Sequence, residues 1–428
     1  NAVDYFSRAV ASDPAYAPAW SGLSEAYLGL ADYGSMPTPE AFALAEKAID
    51  KAKQIAPEAP ETLVAQGNLM NYRGLDYQTT PLYESAVRTN PNNVEALMGL
   101  AQSKQESAPR EALELANKAW SLDPLAETTR TFLIDALRES GDTEGAIRKA
   151  REFLLDEPDN PGLFEALGLA YQSSGQNHMA IHNFEMTWNL RPGDVWPAMM
   201  ITRRYLVLGD LDSALLWKDK ARERGADSRH NQVIDLVLHY HQSEWESLAA
   251  IYEQMLANDT LIVGARLFYG DALRRTGKPV QAERMYRSVA DLFDDAGTPI
   301  TESLHADATV RLLGLLTPGD ERERRMRALE EYGDKLVRTR PDDNDVWVLQ
   351  AEIAALQDDQ QALFDAVNRA VDLGAIYRHG WEVNPLMRPW RDHPEFRAIL
   401  SRMDDRAREQ RELLEASRTS NLSTDIGP

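Results

Sequence analysis

The chain has 428 residues, 43% of them apolar and 27% charged, a balance that can bury a core and that excludes an intrinsically disordered chain. Its 68 acidic side chains against 46 basic ones leave a net charge of −22, which argues against a nucleic-acid surface and against docking on anionic lipid, since both need basic side chains. No cysteine occurs, so disulfides, thiolate zinc sites, iron–sulfur clusters and cysteine nucleophiles are excluded.

The chain opens at Asn1 with no basic region and no initiator Met, and reads as a processed chain or a fragment. Its uncharged apolar stretches fall short of the roughly 20 residues a membrane helix needs. The first element, Ala2-Phe6-Ala9-Pro14, has the spacing of the second helix of a hairpin whose first helix is missing. Trp20-Leu23-Tyr27 and Ala45-Ile49-Ala52-Pro57 then supply a complete pair. From there a proline ruler runs along the chain. Pro57, Pro91, Pro124, Pro158 and Pro192 follow at steps of 34, 33, 34 and 34, and Ala226, Thr260 and Asp294 continue the 34-residue step. Pro14 lies 43 residues before Pro57, so nine extra residues sit between them, and Pro341 and Ala375 restart the step after a gap of 47. A period of this length predicts a helix–turn–helix unit stacked into a solenoid.

The unit from Phe164 to Pro192 shows the chemistry. Leu167, Gly168 and Tyr171 lie at helical spacing on one helix, Ala180 and Phe184 on the next. Ser173-Ser174-Gly175-Gln176 breaks the pattern, with Gly175 free to end a helix in the left-handed conformation. Gly168 and Ala180 are small where the helices approach, Tyr171 and Phe184 fill the seam, and Pro192 stops the second helix. The pattern recurs through Gly67, Tyr83, Ala86 and Pro91, then Leu100, Ala112, Ala119 and Pro124, then Leu133, Ala146 and Pro158. Tyr205, Ala214 and Ala221 carry it on, followed by Trp245, Leu248 and Tyr252, by Tyr269-Gly270, Ala282 and Tyr286, and by Trp347 in the last clear copy.

These residues resemble the tetratricopeptide repeat (TPR) family. The resemblance implies an all-α fold, a right-handed superhelix (an α-solenoid) of about ten helix–turn–helix repeats with a C-terminal capping helix. Residues 1–294 form the repeat array with its first repeat half-complete, 295–340 an irregular helical pair, 341–375 the last clear repeat, 376–418 the cap and 419–428 a disordered tail. Gly297-Thr298-Pro299 and Thr317-Pro318-Gly319 mark loops in the irregular stretch. In the cap, Trp381, Pro385-Leu386, Pro389-Trp390 and His393-Pro394-Glu395-Phe396 should fold over the last exposed hydrophobic face, and a helix from about Pro394 to Arg418 turns its charged side to water.

Neither a phosphate-binding glycine loop nor a nucleophile elbow occurs, and no catalytic residue, cofactor or metal is expected. His178 and His182, four apart with Glu185 three further on, have metal-ligand spacing, but the plainer reading is two histidines on the exposed side of a repeat helix. His239 and His241 fall on different sides of theirs. In a TPR superhelix the first helix of each unit lines a concave groove. Projecting the pattern puts Asn68, Asn71, Gln102 and Gln105 in its N-terminal part, followed by Asp135, Arg138, Trp196, Arg203, Tyr240, Asp271 and Arg274. A row of primary amides can pair with an extended peptide whatever its side chains, and Arg138, Arg203 and Arg274 can engage carboxylates bidentately. The expected partner is thus a protein or peptide in the groove, with no direct nucleic-acid contact. Trp196 and Trp217 also suit core packing. The family's carboxylate clamp for chaperone C-termini is not expected, because Val64 and Met98 stand where lysines would serve.

Three stretches resemble a narrower group: Ala9 to Tyr33, the expansion from Gly34 to Ala45, and Pro389 to Met403. They look like the C-terminal repeat half of bacterial CadC-type transcriptional regulators and class III adenylate cyclases. That resemblance implies a periplasmic sensing or interaction half whose effector domain lies outside this sequence. The alternatives are the regulatory region of a cyclase and a scaffold subunit of an envelope or secretion complex.

Overall fold

The computed structural model describes residues 2–32, 36–75, 78–105, 107–225, 229–258, 261–293, 300 and 302–419. Among them the fold is all-α. A single helix, α1 (Ala2–Ser12), precedes ten helical hairpins. The first five are α2 (Ala17–Asp32) with α3 (Thr38–Ile55), α4 (Pro60–Tyr72) with α5 (Thr80–Thr89), α6 (Val94–Lys104) with α7 (Pro109–Leu122), α8 (Glu127–Glu139) with α9 (Thr143–Asp156), and α10 (Pro161–Ser173) with α11 (Asn177–Leu190). The next three are α12 (Trp196–Val207) with α13 (Leu211–Arg224), α14 (Arg229–His241) with α15 (Trp245–Ala257), and α16 (Ala265–Arg275) with α17 (Pro279–Ala290). The last two are α18 (Ser303–Leu313) with α19 (Asp320–Thr339), and α20 (Asn344–Gln357) with α21 (Gln360–Asp372). A short α22 (Arg378–Val383), a 3-10 turn (Pro385–Trp390) and the long α23 (Pro394–Thr419) close the chain. Gly297-Thr298-Pro299 and residues 420–428 lie outside the described residues.

Local chemistry explains the hairpins. Side-chain oxygens of Asn93, Asp142, Asn160, Asp210 and Asp359 accept from the third residue onward at helix starts, satisfying backbone donors that a first turn leaves orphaned. The second helices α3, α5, α7, α9 and α11 each have their C-cap one residue before a ruler proline, at Ala56, Asn90, Asp123, Glu157 and Arg191. Several of these proline carbonyls are reused as acceptors six residues on: Trp20 Nε1 donates to Pro14 at 3.0 Å, Arg130 Nε to Pro124 at 2.8 Å and Trp347 Nε1 to Pro341 at 2.7 Å. The ruler therefore both stops one unit and ties down the next. Within a hairpin, the small position admits a ring: Phe184 lies against Gly168, and Tyr286 against Gly270.

Curvature follows from which helices touch. The first helices of neighbouring hairpins meet directly at α2–α4, α4–α6, α6–α8 and α8–α10, whereas their second helices make no comparable contact among the described residues. A stack whose first helices crowd and whose second helices splay must be concave on the first-helix side.

Tight curvature brings distant units together. Gly74 approaches Ile262 and Val263, and one continuous core joins α7–α14 to α20–α23. Gly175 and Gly374 meet backbone to backbone, both at positive φ (72° and 105°), where a side chain would fit neither the backbone conformation nor the space. The cap accordingly does more than the sequence predicts. Helix α23 does cover α21, but it also runs on across α11 and α12. There Gln410 Nε2 donates to the Gly175 carbonyl at 2.8 Å, Arg411 donates to the Leu208 carbonyl, and Arg418 donates to Tyr205 Oη at 2.7 Å and pairs with Glu185. His178 and His182 are corrected by the same contact. They are half-buried and not exposed, because α23 lies over their helix and Gln410 accepts from the His178 backbone N–H at 3.3 Å. Among the described residues no group of His, Asp and Glu is arranged to hold a metal ion, and no helix is long and apolar enough to cross a membrane.

Candidate functional site

The concave wall divides into an N-terminal stretch and a central channel. In the first, Asn68 on α4 is fully engaged. Its Nδ2 donates to Glu25 Oε1 at 2.9 Å, and its Oδ1 accepts from Tyr83 Oη at 2.7 Å. Asn71 Nδ2, one turn on, donates to Tyr83 Oη at 3.1 Å. Glu25 is pushed up to about 7 by burial, against the opposing hydrogen bond from Asn68. On α6, Gln102 is exposed, while Gln105, just past the helix end, donates to Asp135 Oδ2 at 3.3 Å. Asp135 in turn holds Arg138 Nε at 3.1 Å, and Arg138 Nη1 reaches Ser173 Oγ at 3.4 Å. Side chains that the sequence offers as free groove contacts thus form two separate polar clusters, one joining α2, α4 and α5 through Glu25, Asn68, Asn71 and Tyr83, the other running from the end of α6 to α10 through Gln105, Asp135, Arg138 and Ser173. Gln102 stands clear of both.

Further along, α8, α10, α12, α14, α16, α18, α20 and α22 line a partly open channel of about 640 Å³. Arg138, Arg203, Tyr240, Asp271 and Arg274 all line it. Their local roles differ. Arg138 pairs with Glu139 at 2.6 Å as well as Asp135, and Arg274 Nη2 donates to the Gly314 carbonyl at 3.1 Å. Asp271 accepts from Tyr286 Oη at 2.8 Å and Arg311 Nε at 3.2 Å. The Tyr240 ring sits edge-on to Trp245 (5.3 Å) and Phe268 (6.4 Å), which accounts for it as packing. Trp196 stands apart from the channel lining, half-buried with its ring edge-on to Phe184 at 5.6 Å, and Trp217 is buried against Trp188. Arg203 is the predicted groove cation that makes no hydrogen bond or ion pair with a described residue.

The channel also holds residues that sequence reading misses: Arg204, Asp345, Glu352 and Tyr377. Burial pushes Glu352 up to about 7, with Arg311 pulling the other way, and Asn384 Nδ2 donates to it at 2.8 Å. At the channel wall, α22 packs on the end of α14. Tyr377 Oη lies 3.2 Å from His241 Nδ1, His379 Nε2 lies 3.1 Å from the Tyr240 carbonyl, and the two imidazoles stand 4.8 Å apart. Burial, with His379 second, holds His241 down at about 4, so the pair is neutral near pH 7. No sequence signal marks α22 as an interior element, since its position depends on the closure of the whole superhelix.

No family model matches the chain, and no curated protein matches it either. Solved structures do. MamA is 25% identical, with 37% of this chain aligned to 93% of that one and a TM-score of 0.28. The TPR protein TTC0263 of Thermus thermophilus is 21% identical over 43% of this chain and 99% of its own, with a TM-score of 0.38. The human IFIT1 dimer with PPP-AAAA is 15% identical over 84% and 73%, with a TM-score of 0.41. The class the fold defines is an all-α solenoid of TPR-type helical hairpins.

Proposed function

We propose that the chain is a non-catalytic interaction module that holds an extended protein or peptide segment along the N-terminal part of its concave wall. The observation that supports this reading is the pair of polar clusters on that wall, Glu25 with Asn68, Tyr83 and Asn71, and Gln105 with Asp135, Arg138 and Ser173. Side chains already locked to one another hold the wall in one shape, so a bound backbone orders few groups of the protein, and Gln102 leaves an exposed amide on that wall. The net charge of −22 favours a basic segment, whose binding weakens as salt rises.

A sound test leaves Asn68 in place, because its loss strips partners from Glu25 and Tyr83. Peptides selected on the wild-type chain from a displayed random library are titrated against the Gln102→Ala/Gln105→Ala double variant. Loss of two amide contacts should weaken binding roughly tenfold or more with helicity intact. Undiminished affinity moves the site off this wall. The narrower reading, a periplasmic sensing half of a bacterial signalling protein, rests on the resemblance of three sequence stretches. The open reading frame upstream of Asn1 tests it: a membrane helix preceded by a winged-helix or cyclase domain supports it, and a signal peptide directly before Asn1 refutes it.

A further inference from the structure

One of the contacts that close the superhelix, the seat of α22 on the end of α14, is made by titratable rings. Tyr377, just before α22, stacks on His241 with ring centroids 5.9 Å apart, and its Oη lies 3.2 Å from His241 Nδ1. His379 reaches the other way. Its Nε2 donates to the Tyr240 carbonyl at 3.1 Å, and its ring stands 6.1 Å from that of Tyr240 and 4.8 Å from that of His241. All four rings are half-buried. His239, two residues before His241, is bound to Glu244 instead and takes no part.

The groups around this contact do not make room for a cation. Near His379, Glu382 is already held by Arg378 at 2.9 Å, and Arg378 also pairs with Asp404 of α23. Arg275, on α16, adds a positive charge beside His379 and lies over the Trp245 ring at 5.0 Å. From α12 the charge facing Tyr377 is Arg203, again positive. Burial keeps both phenols neutral, pushing Tyr377 upward and Tyr240 up to about 12. Neutral imidazoles can sit in contact here, whereas two imidazolium rings would set like charges 4.8 Å apart away from bulk water. We propose that His241 and His379 form an acid-sensitive clasp: neutral, they seat α22 on α14 and keep that wall of the channel in place; protonated, they repel and release it. The sign follows from burial, which holds His241 at about 4 against an ordinary 6.5 and lowers His379 as well. The hold is therefore complete above pH 6.5 and lost as pH falls towards 4. The clasp does not depend on what the N-terminal wall binds.

Amide exchange on the full chain, expressed as protection factors at about pH 7.5 and about pH 5, tests the clasp. Protection of residues 377–384 should fall about tenfold or more in the wild type while α6 and α7, which carry no histidine, keep theirs. The double variant His241→Gln/His379→Gln keeps a donor for the Tyr240 carbonyl and a partner for Tyr377 Oη but takes up no proton, so its protection should change by less than about threefold. If the double variant is already unprotected at the higher pH, each single glutamine variant takes its place. Three results overturn the proposal. Wild-type protection of 377–384 is the same at both pH values, or α6 and α7 lose protection equally, which is general acid unfolding. Alternatively, a glutamine variant protected at the higher pH loses as much at the lower pH as the wild type.

Discussion

Gly168→Ala offers the sharpest test of how the hairpins pack. By helix propensity alone the change should stabilise α10, since alanine is favoured over glycine in a helix interior by about 1 kcal/mol. Packing says the reverse. A Cβ at Gly168 would lie 2.5 Å from Phe184 Cε1 and 2.7 Å from Cδ1, against the roughly 3.5–4.0 Å at which carbons rest. The ring cannot step aside, because Phe184 is fully buried and its face meets the edge of Trp196. Overpacking of this kind costs about 1–3 kcal/mol, so the net effect is a loss of about 1 kcal/mol. Gly29 in α2 supplies the control, since a Cβ there meets nothing within 4 Å and Gly29→Ala should stabilise by about 0.5–1 kcal/mol. Urea melts followed by circular dichroism give the two midpoints. Amide exchange in α10 and α11 shows whether the loss is local, as a repeat array whose units open separately requires. If Gly168→Ala stabilises as much as Gly29→Ala, the close approach of α10 to Phe184 is refuted.

The contact between distant units is tested by Gly374→Ala. A Cβ there would stand 2.5 Å from Gly175 Cα on a backbone at φ +105°, a strain of roughly 1–3 kcal/mol before the overlap is counted. Amide exchange in α23 should rise while α2–α7 stay protected, and an unchanged α23 would mean that the Gly175–Gly374 contact does not hold it. Glu352→Gln tests the channel's electrostatics through pH. Burial raises Glu352 from 4.5 to about 7, so its neutral form is favoured in the folded chain; the stability this contributes is complete below pH 4.5 and lost as pH rises through 7. Glutamine keeps an acceptor for Asn384 and removes the charge. The variant should match wild type near pH 4.5 and exceed it above pH 7, by at most about 3 kcal/mol and less where channel water screens the charge. Equal midpoints at high pH would show that Glu352 is solvated.

Repetition was legible in the sequence because it is local chemistry. The ruler from Pro57 to Pro192, the small Gly168 opposite the large Phe184, and Gly175 at the turn each act within one hairpin, so reading them in phase yields an all-α hairpin solenoid. The lining of the wall was legible in part for the same reason. Arg138, Arg203, Tyr240, Asp271 and Arg274 reach the channel because first helices face inward. Their partners were not legible. Asn68 meets Glu25 43 residues away, and Arg274 meets Gly314 40 residues away, across units whose relative tilt no single hairpin specifies. Closure lay furthest from view. Each unit adds a small rotation, and only their sum brings Gly374 onto Gly175, Arg411 onto the Leu208 carbonyl, and Asp345 into the same space as Arg203. Proline and glycine spacing therefore determined what each hairpin is. The accumulated curvature of the stack decided which charges would share one channel.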